Sequence, residues 1–175
     1  GDMLGFWSKV EEGTIPTRVT HNDTKINNIL FDRQGEVLCA IDLDTVMAST
    51  SLNDFGDAIR SYANTGDEDD RDLSRVGLSL EMFRAYTEGY LSQRAKQLTD
   101  SEIDHLAFST RYITFEQVLR FLMDYIDGDT YYKVKYPGHN LVRTHAQYRL
   151  LQSMEEHYGE MCRIVRETVD KYRKA

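Results

Sequence analysis

The sequence predicts a mainly α-helical fold carrying one small β-hairpin, and three observations lead there. Only two of the 175 residues are proline, while Leu, Met, Glu, Gln, Lys and Arg, the straight-chain helix formers, are abundant. Apolar residues recur three and four apart over most of the chain, the period of a helix with one buried face. Two short apolar runs alone break that period, and Asp32-Arg33-Gln34-Gly35 joins them with hairpin-turn chemistry.

In chain order, Leu4, Trp7 and Val10 mark a short amphipathic helix within residues 3–12, which Gly13 to Pro16 end. Thr17-Arg18-Val19-Thr20 is extended and leads into a polar loop. Residues 28–31 and 36–41 form the hairpin, and Thr45 to Asn53 reads as a Ser/Thr-rich loop. A helix opens at Asp54, with Ala58, Ile59 and Tyr62 facing inward. The run Thr65 to Asp72 is acidic and reads as a solvated linker. Leu80, Phe83, Tyr86 and Tyr90 carry a long helix. Thr99 and Glu102 have the spacing of a capping box, starting a further helix through Leu122. Gly128 to Asn140 is an aromatic and basic loop, and one last helix is expected from about Leu141 to Lys171.

Chemistry concentrates in His21-Asn22-Asp23-Thr24-Lys25-Ile26-Asn27-Asn28, followed fourteen residues after Asn28 by Asp42 in Ile41-Asp42-Leu43-Asp44. Phosphoryl transfer from a metal-bound nucleotide needs such a set. One carboxylate orients and deprotonates a hydroxyl, while an amide oxygen and a second carboxylate hold the metal on the phosphates. Asp23 takes the first role. Asn28 is suited to Mg²⁺ because an amide supplies a hard oxygen without charge, and Asp42 is the second ligand. The hairpin folds the chain back so that Asp42 lies beside Asn28. Asp44 shares the face of Asp42 if that segment is extended, as a further metal carboxylate or a structural acceptor. Lys25 is placed to meet the transferring phosphoryl group, against the plainer reading of a solvated lysine. His21 reads as a packed histidine that fixes the loop. Asp54-Phe55-Gly56 spells a metal-binding tripeptide of protein kinases, but it lies too far beyond Asn28 for the hairpin to return it. Asp54 and Asp57 therefore read as capping and loop-bracing carboxylates.

These motifs carry a resemblance. His21-x-Asp23-x₄-Asn28, Ile41-Asp42-Leu43-Asp44 and the later Asp-Phe-Gly-Asp-Ala-Ile-Arg resemble the aminoglycoside phosphotransferase and choline kinase superfamily, whose fold is protein-kinase-like. Asn22 stands where protein kinases have Arg and small-molecule kinases commonly Gly. The fuller wording, with Thr45-Val46-Met47 and Lys135-Tyr136-Pro137-Gly138-His139-Asn140-Leu141, is similar to N-acetylhexosamine 1-kinases. The resemblance implies ATP and Mg²⁺ as cofactors and the anomeric hydroxyl of an N-acetylhexosamine as acceptor. It makes Asp23 the catalytic base and Asn28 and Asp42 the Mg²⁺ ligands; Lys25 joins the catalytic candidates, and Asp44 the metal candidates, from their places in the loop and hairpin. It points to Arg120, Asp124, Tyr125, Tyr132 and Arg143 as sugar-binding candidates, each also readable as a core tyrosine or a structural ion pair.

Kinase folds place a strand-rich nucleotide lobe before the catalytic loop, and no glycine-rich loop or strand lysine precedes His21. The expectation is a C-terminal lobe, residues 1–175, with the catalytic loop at 20–28, the metal-binding hairpin at 29–44 and acceptor-binding helices over 74–173. Its partner would be the missing N-terminal lobe, without which the chain binds ATP poorly and is inactive. Other readings keep the mechanism with an aminoglycoside, choline or homoserine acceptor, or take Asp42-Leu43-Asp44 as the D-x-D of a glycosyltransferase. A non-catalytic kinase-like binding module is a third.

A formal net charge of −8 argues against nucleic acid, whose binding rests on cationic neutralisation of phosphate. No apolar run approaches the roughly 20 residues of a membrane span, and no signal peptide opens the chain. Cys39 and Cys162 read as buried thiols in a reducing cytoplasm rather than a disulfide.

Overall fold

The computed structural model describes residues 2–174, with side chains from residue 5 onward, so the Leu4 side chain lies outside the described residues. Six helices and two antiparallel ribbons make up the described chain: α1 (Asp2–Glu11), β1 (Arg18–Thr20), β2 (Ile29–Phe31), β3 (Val37–Ala40), β4 (Met47–Ser49), α2 (Ser51–Tyr62), α3 (Leu80–Arg94), α4 (Asp100–Ile126), α5 (His139–Glu156) and α6 (Tyr158–Arg173). None of the helices is long and apolar enough to cross a membrane.

The β2–β3 hairpin forms where the turn chemistry places it. Asp32 Oδ1 accepts from the amides of Gln34 and Glu36 at 2.9 and 2.8 Å, and Gly35 takes the φ of +87° that the turn requires. A second ribbon was not legible: β1 pairs with β4, Arg18 opposite Ser49 and Thr20 opposite Met47. The segment expected as a continuous loop over 45–53 thus contains a strand and the start of α2. Every strand pair among the described residues is antiparallel, so the alternating strand–helix layout of a D-x-D glycosyltransferase is not the one seen.

Helix α2 is the centre of the core. Thr50 caps it by accepting from the Leu52 amide, so the helix begins earlier than Asp54. Leu52, Phe55 and Ile59, at helical spacing, are fully buried. Phe55 packs edge-on against Phe83, Tyr86 and Tyr90, with ring centroids 6.3, 5.7 and 5.1 Å away. Gly56 lets α2 lie against α4: a Cβ at this position would sit 2.6 Å from the Ser109 carbonyl oxygen. Gly56→Ala is therefore expected to destabilise the fold by about 1–3 kcal/mol, because a backbone oxygen cannot swing aside and the helices must separate. Urea denaturation measures it; an unchanged midpoint would mean that α2 and α4 part at no cost.

The Thr99–Glu102 capping box opens α4 with both reciprocal bonds made. The single last helix expected over 141–171 is instead two. His157 leaves helical geometry at ψ 6°, its ring Nδ1 engages the Ser153 carbonyl at 2.8 Å, and Gly159 follows with low helix propensity. The break lets α5 pack on α4 while α6 turns to cover α3. Cys39 and Cys162 are both free, but Cys39 is exposed on β3 rather than buried.

Candidate active site

Three hydrogen bonds accepted by one aspartate shape the loop of residues 21–28. Asp54 accepts the His21 amide at 2.9 Å and the Asn22 amide at 2.7 Å, and its carbonyl accepts the Thr24 hydroxyl at 2.6 Å. The Asp-Phe-Gly tripeptide is thereby accounted for by structure alone: Asp54 braces the loop, Phe55 fills the core and Gly56 permits helix contact. Asp57, expected to cap or brace the loop, does neither; it is buried and paired with Arg60 at 2.8 Å. Asn22 sits at φ +62°, in the left-handed region that asparagine and glycine tolerate best. That explains why a residue unlike arginine occupies this position.

The braced loop presents Asp23 with its two oxygens differently used. Oδ2 accepts from Lys25 Nζ at 2.7 Å and Asn28 Nδ2 at 2.8 Å, while Oδ1 has no partner among the described residues and Asp23 lines the adjoining cavity. Asn28 is buried and its amide nitrogen also donates to the Asp23 carbonyl at 2.9 Å. With both donor bonds directed at Asp23, the amide oxygen faces away and is unengaged.

Beside Asn28 runs the end of β3. The Ile41 amide donates to the Asn28 carbonyl at 2.9 Å, and His21 Nε2 meets the Ile41 carbonyl at the same distance, fixing the ring with Nε2 protonated. Asp42 follows directly, at φ +63° and solvent-exposed. Asn28 and Asp42 each offer a hard oxygen donor of the kind Mg²⁺ takes. Among the described residues no three His, Cys, Asp or Glu side chains converge to hold a metal on their own. Asp44 lies in a 3₁₀ turn over Leu43–Thr45 rather than an extended segment, so the condition for sharing the face of Asp42 is not met.

A cavity of about 610 Å³ opens from Asp23 and Lys25 toward α4 and α5. Of the acceptor candidates, Arg120, Tyr132 and Arg143 line it; Asp124 and Tyr125 do not. Asp124 is consumed in shaping the loop of residues 128–140. It accepts the amides of Thr130, Tyr131 and Tyr132 at 2.9, 2.8 and 3.0 Å and Asn140 Nδ2 at 2.7 Å. Burial alone would raise this carboxyl; the amide donors outweigh burial and hold it below the usual range. Tyr125 is exposed on the outer side of α4.

The acidic run expected to be a solvated linker is largely exposed and also forms a wall of the cavity, contributing Asp67, Glu68 and Asp69. Asp69 is held by His139 Nε2 at 2.8 Å and Lys135 Nζ at 3.2 Å. The His139 bond, opposed by partial burial and assisted by Lys135, keeps its carboxyl below the ordinary value. Glu68 pairs with Arg60 at 2.8 Å. Arg60 is buried at the cavity floor, where burial alone would lower its pKa but Asp57 and Glu68 raise it. Arg60, Glu68, Asp69 and Gln147 were not recognised from sequence. The one available signal was the three-residue spacing of Asp57 and Arg60, the reach of a helical ion pair.

Residues 6–91 match the family model described as the phosphotransferase enzyme family, APH. The match runs from α1 through most of α3 and contains the catalytic loop, the hairpin and Asp54. These residues are thus similar to a family of phosphotransferases of the kinase-like kind. The acceptor side on α4 and α5 lies beyond the matched residues.

Proposed function

We propose that this chain supplies the catalytic loop and acceptor pocket of an ATP-dependent small-molecule kinase whose acceptor is the anomeric hydroxyl of an N-acetylhexosamine. The observation carrying this reading is the Asp23 carboxylate, with one oxygen tied to Lys25 and Asn28 and the other unpartnered at a polar cavity. Asp23 Oδ1 accepts the proton of an acceptor hydroxyl and orients that oxygen for attack. Lys25, already beside Asp23, offsets the charge that develops on the transferred phosphoryl group. Asn28 and Asp42 are the residues that would hold Mg²⁺, and the ion would supply charge neutralisation on the nucleotide phosphates.

Charge in the cavity favours a neutral acceptor. Its walls pair four cationic side chains (Lys25, Arg60, Arg120 and Arg143) with four carboxylates (Asp23, Asp67, Glu68 and Asp69), despite the chain's net −8. A polycationic aminoglycoside would be better served by an acidic excess. Tyr131 and Tyr132 add rings of the kind that cover an apolar sugar face.

Nucleotide contacts on the other side rest on the hairpin. Val37 and Leu38 are neighbours pointing to opposite faces, yet both are 63% exposed. An isolated two-stranded ribbon is marginal in water, and this one carries apolar side chains on both faces. A nucleotide base and a strand-rich lobe of the same protein are the cover we assign to it. The experiment is an acceptor panel with the intact protein, ATP and Mg²⁺, read by ³¹P NMR. N-acetylglucosamine or N-acetylgalactosamine 1-phosphate is expected; phosphorylation of choline or an aminoglycoside alone would overturn the sugar assignment.

A further inference from the structure

Gln147 on α5 is 1% exposed and lines the cavity. Its Oε1 accepts from Arg60 Nη1 at 3.3 Å, and a guanidinium can only donate, so the amide orientation is set. That leaves Nε2, a buried donor, with no partner. Buried N–H groups are satisfied in the great majority of cases, and an orphan calls for an explanation. Arg143, one helical turn earlier on the same face of α5, carries a second one: its Nε is buried without a partner. One end of that guanidinium is tied down, Nη1 donating to Asn140 Oδ1 at 2.9 Å and to the Lys133 carbonyl at 3.3 Å. Two fixed donors on one helix face, both beside the same cavity, ask for an oxygen that accepts and has no proton of its own to place.

We propose that Gln147 is a specificity-determining residue whose Nε2 donates to the acyl carbonyl oxygen of the phosphoryl acceptor, with Arg143 Nε as the neighbouring donor. This rests on the sugar-kinase reading above and sharpens it. A hydroxyl at the same place would need an acceptor for its proton, whereas a carbonyl offers two lone pairs and nothing else. An acetamido group meets that requirement, and an unacylated amine or a plain hydroxyl does not. Arg60 acts through Gln147 as a positioning residue. Buried, and clamped between Asp57 and Glu68, it holds the amide so that Nε2 rather than Oε1 is the free end.

Gln147→Leu removes the donor, together with the oxygen that accepts from Arg60, at similar volume. Binding to the intact protein is measured by calorimetry with N-acetylglucosamine and with glucose, which lacks the acyl group, alongside steady-state kinetics. Wild type is expected to bind N-acetylglucosamine at least tenfold tighter than glucose, the scale set by one buried donor left unsatisfied. Gln147→Leu should lose that preference through KM, with kcat within about twofold and affinity for glucose unchanged. A merely structural role would weaken both sugars equally, and unchanged discrimination in Gln147→Leu would overturn the proposal. If phosphorylation falls on a different acylated acceptor and Gln147→Leu weakens it, the sugar reading fails and this inference stands. If the acceptor carries no acyl group, both fail.

Discussion

Asp23→Asn in the intact protein is expected to lower kcat by about 10²- to 10⁴-fold, the range for a positioned base, with little change in stability. The substitution keeps the shape and leaves an oxygen for Lys25 Nζ and Asn28 Nδ2 to meet. On the mechanism proposed above, it removes the charge that takes the acceptor proton and orients the attacking oxygen. Asp54→Asn gives the contrast. Asp54 holds the amides of His21 and Asn22 from below the loop, so its variant loosens the loop and weakens turnover through misplacement. Lower thermal stability should accompany that loss. Rate assays and melting curves on both proteins separate the two roles. Near-normal turnover in Asp23→Asn together with abolished turnover in an undisturbed Asp54→Asn would move the chemistry to Asp54.

The loop half of this candidate site was legible in sequence because its groups are local. Asp23 and Asn28 lie five apart on one loop, and Asp42 comes back through a hairpin whose turn residues announce themselves. Asp54 was legible as a loop-bracing carboxylate, the role that its bonds to the His21 and Asn22 amides give it. The acceptor half is different. Gln147 meets Arg60 across 87 positions, and His139 meets Asp69 across 70. No period or motif records such partners. The acidic run 65–72 looked solvated because its charges lack apolar neighbours in sequence, while in the fold Glu68 is paired with Arg60 and Asp69 is held by Lys135 and His139 from other elements. Asp124 misled for a related reason. A carboxylate near an aromatic loop suits a sugar hydroxyl, but backbone amides claimed it first. The β1–β4 ribbon was missed because three-residue strands separated by 26 residues carry no alternation of their own.

Glu102 shows how the core and the catalytic loop depend on one another, and its removal should be the most costly substitution for stability. The carboxylate is fully buried, yet every direction around it offers a donor. Arg18 grips it bidentately at 2.6 and 2.7 Å, Ser51 donates at 2.8 Å and the Thr99 amide at 2.8 Å. Burial alone would raise the Glu102 carboxyl, but the Arg18, Thr99 and Ser51 bonds outweigh burial and bring it from its ordinary 4.5 down to about 2. A carboxyl depressed in the fold contributes stability above its unfolded pKa and loses it as pH falls toward the folded one. About 3 kcal/mol should therefore disappear between roughly pH 5 and pH 2. Glu102→Ala strands the Arg18 cation and the start of α2 at once and is expected to cost about 3–5 kcal/mol at neutral pH. Arg18 lies on β1, three residues before His21, so the same substitution releases the strand that delivers the catalytic loop. Denaturant titrations of wild type and Glu102→Gln across this pH range test the linkage: the acid-dependent loss should be present in the first and absent in the second. Parallel curves would show that Glu102 is not the group whose protonation weakens the fold.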